Sequence, residues 1–93
     1  MDDNQFHRIA KTVADPARLT ALEMIAGKGE MSCSGVCDHL GLTPATVSHH
    51  VKELTAAGLV HQRREGKFSF LSLNQAVWRA YLHELARRIP SQK

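Results

Sequence analysis

Ninety-three residues, 43% hydrophobic and 23% charged, have the make-up of one small globular domain without repeats or low-complexity stretches. A formal net charge of +3 suits a polyanionic partner, and no apolar run nears the ~20 residues of a membrane span. With no signal-peptide layout either, the chain reads as cytoplasmic, with no membrane partner and with its two cysteines as reduced thiols.

In chain order, Asp2 or Asp3 caps a first helix over about residues 3–14, with Phe6, Ile9, Ala10 and Val13 forming an apolar stripe. Asp15-Pro16 opens a second helix, whose Leu19, Leu22, Ile25 and Ala26 face inward and which Gly27 ends. Lys28 to Met31 form a short loop or an edge strand. Ser32 caps a short third helix carrying Val36, Cys37 and Leu40, closed by Gly41. Thr43 and Pro44 start a longer fourth helix that stops at Gly58. Short helix, glycine-containing turn and long helix, about residues 32–58, have the helix-turn-helix layout.

The fourth helix carries two stripes. Val47, Val51 and Leu54 face the core. Ala45, Ser48, His49 and Lys52 share another face, beside Thr43 and Thr46, and offer the small groups, hydroxyls, imidazole and cation that suit a nucleic-acid groove. Next come two short strands over about residues 59–73, joined at Arg64-Glu65-Gly66-Lys67. With Arg63, Arg64 and Lys67 near its tip, this hairpin reads as a wing against phosphates. Which face of the second strand is buried stays open, because Phe68 and Phe70 oppose Leu71 and Leu73. Asn74 caps a last helix over about residues 75–89. Its Trp78, Tyr81, Leu82 and Leu85, like Phe6, Ile9 and Val13 of the first helix, exceed what a terminal helix buries in so small a domain, which points to a homodimer seam.

Asp15-Pro16-Ala17-Arg18-Leu19, Leu40-Gly41-Leu42-Thr43, Thr46-Val47-Ser48-His49-His50-Val51, Ala57-Gly58-Leu59-Val60 and Arg64-Glu65-Gly66-Lys67 together resemble the ArsR-type winged helix-turn-helix repressors, from about Ile9 to Leu85. The resemblance implies a mainly α domain with one β-hairpin, dimerised through its first and last helices. It also implies a repressor that leaves its operator when an inducer binds. By position, Ser48 and His49 fall where family members touch bases, with Ala45 and Thr46 beside them, and Arg63, Arg64 and Lys67 fall on the wing. Pro44 and Ala45 depart from the Gln or Ser often found there, so that end offers at most a methyl contact to thymine.

The metal-sensing patterns of the family are altered. Cys37 precedes Asp38, but Cys33 lies four residues back instead of two, and Asn74 and Ala76 stand where last-helix ligands are expected, with only His83 and Glu84 nearby. No resident cofactor or metal site is therefore expected. Cys33 and Cys37 remain readable as structural thiols, as a redox switch, or as soft-metal ligands, and a helix N-terminus would favour the Cys33 thiolate. His49 and His50 diverge by about 100° on a helix and do not readily share an ion. Neither cysteine has the oxyanion loop or spaced base of a nucleophilic enzyme. The expected function is a homodimeric repressor reading an inverted repeat in double-stranded operator DNA, with a thiol-directed signal at Cys33 and Cys37 as one form of control. The alternative is a winged-helix protein-interaction module that has lost DNA binding.

Overall fold

Within residues 1–92, which the structure (a computed structural model) describes, every helix starts on a side chain that accepts the backbone N–H three residues ahead. Asp2 accepts from Gln5 for α1 (Asp3–Val13), Asp15 from Arg18 for α2 (Pro16–Lys28), and Ser32 from Gly35 for α3 (Cys33–Leu40). Thr43 accepts from Thr46 for α4 (Pro44–Ala56), and Asn74 from Val77 for α5 (Gln75–Arg88). Each cap satisfies a backbone donor that the helix itself cannot, worth about 1 kcal/mol. None of these helices is long and apolar enough to cross a membrane.

Three antiparallel strands, β1 (Met31–Ser32), β2 (Val60–Glu65) and β3 (Phe68–Leu73), form a sheet in the order β1-β3-β2. The expected hairpin is thus extended by one short strand, since Met31 pairs with Leu71 and Ser32 with Phe70 on the free edge of β3. Leu71 is fully buried, so its face of β3 meets the core; Phe70 lies on the other face beneath Arg63, and Phe68 stands in solvent. The alternation that left the sequence ambiguous arises because both faces carry large apolar groups, one covered by the core and one by an arginine.

Two details of α2 differ from expectation. Gly27 lies inside the helix, and the stop is Gly29, whose φ of +83° is backbone that other residues rarely adopt. The buried stripe is Ala21, Leu22 and Ile25, with Leu19 and Ala26 exposed. The periodicity was right and its phase was off by part of a turn.

The core draws on nearly every element, with Ile9, Ile25, Val36, Val47, Leu54, Leu59 and Leu71 fully enclosed. Burying a side chain of this kind contributes roughly 1.5–3 kcal/mol. Phe6, Ile9 and Tyr81, assigned above to a dimer seam, belong instead to this core: Phe6 and Tyr81 stack at 5.3 Å between ring centroids where α1 meets α5. The apolar surface left on the terminal helices is Leu82 and Ile89, both exposed, flanked by half-buried Val13, Trp78 and Leu85.

A charged clasp closes the α1–α5 junction. The Arg88 guanidinium lies 3.9 Å above the Phe6 ring and bonds to Asp3 on α1 and to Glu84 on α5. Glu84 also accepts from Arg87, and these two arginines hold its carboxyl down at about 2. Because the folded-state value lies below the ordinary 4.5, the clasp stabilises the fold above that pH and is lost as pH falls toward about 2. Glu84→Gln should therefore lower the urea midpoint at pH 6 and make no difference near pH 2. A gap between wild type and variant that is constant across that range contradicts the clasp.

Candidate nucleic-acid interface

The amphipathic pattern of α4 dictates which side chains reach solvent. Val47 and Leu54 are 1% exposed and Val51 is 6% exposed, and these three anchors fix the rotation of the helix. With that face pinned, Ala45, Thr46, Ser48, His49 and Lys52 all point outward, and Thr43 is exposed at the start of the helix. The Thr43 and Thr46 hydroxyls lie 3.0 Å apart and bond to each other, so the capping hydroxyl is already engaged. Ser48 and His49 sit one turn further in, on the exposed surface.

The two adjacent histidines have separate environments. His49 is exposed, whereas His50 is half-buried, its Nδ1 shut off from solvent without a hydrogen-bond partner among the described residues. On the neighbouring helix start, the Asp15 carboxyl is held below its ordinary value, first by the Arg18 backbone N–H, with His50 adding a smaller attraction. Only His49 is placed to meet an external ligand.

The wing turns more tightly than its sequence implied. Arg64 and Glu65 lie within β2, paired with Ser69 and Phe68, so the loop is only Gly66 and Lys67. Gly66 takes φ +61° at the first loop position and Lys67 keeps a negative φ, matching the type II′ hairpins that follow strand twist.

Alternation along β2 then divides the cations. Arg63 turns to one face, where its guanidinium bonds to Glu30 at 2.9 Å and Glu65 at 2.6 Å and covers the Phe70 ring at 4.7 Å. Arg63, grouped with Arg64 and Lys67 on sequence, is thus a strut tying the wing to the segment ahead of α3, and both carboxylates strengthen its hold on its proton. Glu30 lies 33 residues away in the chain, so no local pattern signals the pairing. Arg64 and Lys67 are the wing cations turned toward α4.

Between the wing and the helix-turn-helix lies an open groove of about 590 Å³. Pro44, Val47, Ser48 and Val51 of α4 form one wall, Gln62, Arg64, Lys67, Phe68 and Ser69 another, and Cys33, Cys37 and Asp38 of α3 the floor. Sequence alone did not reveal this groove, which needs the sheet to fold back against α3.

Both thiols are free and half-buried. The α3 helix runs unbroken from Cys33 through Gly35, capped by Ser32, so the pair keeps regular i, i+4 spacing, too wide for a relaxed disulfide. Burial pushes the Cys33 thiol up, with the neighbouring Cys37 adding to the effect and Arg64 offsetting only part of it. Burial thus opposes the thiolate that the helix end was expected to favour at Cys33. Among the described residues no three His, Cys, Asp or Glu side chains gather as a metal site, and Glu84 is held by arginines.

Known proteins share this layout. A family model described as "Helix-turn-helix domain" matches residues 13–63. The transcriptional repressor SdpR of Bacillus subtilis is 30% identical over 71 residues, 76% of this chain and 78% of the repressor. Reduced HlyU from Vibrio cholerae superposes with a TM-score of 0.73 at 28% identity, covering 96% of this chain and 92% of that one. The homodimeric winged helix-turn-helix DNA-binding domain Mb0332 from Mycobacterium bovis, a possible ArsR-family regulator, gives a TM-score of 0.75 at 25% identity over 98% of this chain and 92% of its own.

Proposed function

This chain belongs to the ArsR-type winged helix-turn-helix transcriptional regulators, and on that footing we propose that it is a homodimeric repressor, acting in the cytoplasm without catalysis, that reads an inverted repeat in double-stranded operator DNA. The observation that carries the proposal is the outward stripe of α4, held in place by three buried residues on its opposite face. Ser48 and His49 supply groups that hydrogen-bond base edges in the major groove, Ala45 offers a methyl-sized contact, and Lys52 a phosphate contact. Arg64 and Lys67 approach the backbone beside the groove. A second copy, joined through Leu82, Ile89 and their neighbours, places a matching helix about one helical turn away. The relatives' shared helix-turn-helix domain supports DNA binding over the protein-interaction alternative.

Regulation enters at the groove floor. A thiol-directed agent that fills the space beside Cys33 and Cys37 sits between α4 and the wing, where duplex and agent compete or where the two elements are forced apart. Because burial raises the Cys33 thiol, the agents that suit it displace the proton on binding, as a thiophilic cation does, more readily than those that need a standing thiolate.

Two experiments test these readings. Ser48→Ala and His49→Ala should each weaken operator binding by about 1–3 kcal/mol and relax preference at one or two base pairs. In the same gel-shift series, Arg64→Ala and Lys67→Ala should weaken all duplexes alike and reduce the salt slope by about one each, while Arg63→Ala leaves that slope intact. Unchanged discrimination between operator and random DNA in both α4 variants contradicts the assignment. For the thiols, cadmium or arsenite should lower operator affinity by about tenfold in wild type and not in Cys33→Ser or Cys37→Ser. Insensitivity of the wild type to both, and to diamide, removes the switch.

A further inference from the structure

Phe68 is the anomaly of the wing. Its residue is 53% exposed, whereas Phe6 and Tyr81 are each 6% exposed and Phe70 is sheltered under the Arg63 guanidinium. It is the first residue of β3, directly after the Gly66–Lys67 turn, and so sits at the outermost end of the hairpin. The ring contributes little to the domain's own core, and a phenyl group left in water is a standing cost relieved only when something covers it.

Its surroundings say what that is. The Lys67 ammonium lies 5.9 Å from the ring centroid, and Arg64 shares the same groove wall. The one carboxylate opposite, on Glu65, is neutralised by Arg63 at 2.6 Å. An apolar ring beside the Lys67 ammonium, at the rim of a groove that Arg64 also lines, matches the needs of a polyanion with apolar edges: the cations meet phosphates while the ring meets sugars and the exposed edge of a base step. An acidic protein surface would also pair with these cations, and the helix-turn-helix family of the chain decides for the duplex.

Resting on the DNA-binding reading above, we propose that Phe68 is a wedge that presses into the minor groove at the wing contact and makes the deformability of the base step there part of what the protein reads. A pyrimidine–purine step such as TA opens and kinks at low cost, whereas an A-tract step resists. The wing therefore selects sequence without a hydrogen bond to any base. Ser48 and His49 read identity in the major groove, and Phe68 reads stiffness beside it.

The test uses the full-length protein and a duplex selected from a random pool by the wild type, prepared in two forms that differ only at the wing-contact step, TA against AA. Fluorescence anisotropy should give wild type a preference of about tenfold for the TA form, with shorter end-to-end distance by energy transfer on binding. Phe68→Ala should bind both forms equally and bend neither, with an unchanged salt slope and unchanged thermal midpoint. Phe68→Leu, which keeps an apolar wedge, should restore part of the preference and of the bend. Absence of a preference in wild type, a preference retained by Phe68→Ala, or an equal loss on both duplexes overturns the wedge. The DNA-binding reading falls separately, if Ser48→Ala and His49→Ala discriminate as wild type does.

Discussion

Three buried side chains on one helix decide which of its residues meet solvent. Val47, Val51 and Leu54 lock the rotation of α4 against the core. A helix so anchored has no freedom to choose which residues it shows: Ser48 and His49 face out because the valines and the leucine face in. Specific contact with a duplex requires side chains held to within a fraction of an ångström, and a rigid, core-packed helix supplies that better than a loop. The same residues thus stabilise the domain and fix the face of α4 that we propose meets the duplex.

The wing shows a second use of the same logic. Alternation along β2 sends Arg63 to one face and Arg64 to the other, so neighbours of identical chemistry acquire different roles. Arg63, stacked on Phe70 and bonded to Glu30 and Glu65, stiffens the hairpin and ties it to the approach to α3. Being exposed, these ion pairs are screened and contribute little stability; their effect is to orient the hairpin. Arg64 and Lys67, facing the groove, are left to meet an anion. At the α1–α5 junction, Arg88 draws the two helices together through Asp3 and Glu84, and Leu82 and Ile89 remain exposed.

What could be read from the chain, and what could not, follows the range of the interactions involved. Caps and stops are local: Asp2, Asp15, Ser32, Thr43 and Asn74 each act on a donor three residues on, and all five helix starts were legible. Even so, two glycines spaced two apart hid the end of α2, since only the fold decides that Gly29 rather than Gly27 takes positive φ. The outward stripe of α4 was legible because the inward one was unmistakable. Pairings distant in sequence left little trace: the Glu30–Arg63 strut and the burial that raises the Cys33 thiol depend on elements meeting in space, and the segment ending at Met31 read equally as a loop or an edge strand, a choice that only its pairing with β3 decides. Surplus apolar surface on the terminal helices was read as a partner's share, yet Phe6, Ile9 and Tyr81 are used within the chain; a stripe shows that burial is needed and does not say by whom.

One claim joins these parts: two copies present their α4 helices as a matched pair to one face of a duplex. Hydroxyl-radical footprinting of the selected operator, run alongside sedimentation of the complex, tests it most directly. Two protein chains per duplex and two equivalent protected patches about one helical turn apart on the same face are the expected result. A single patch saturated by one chain contradicts the account.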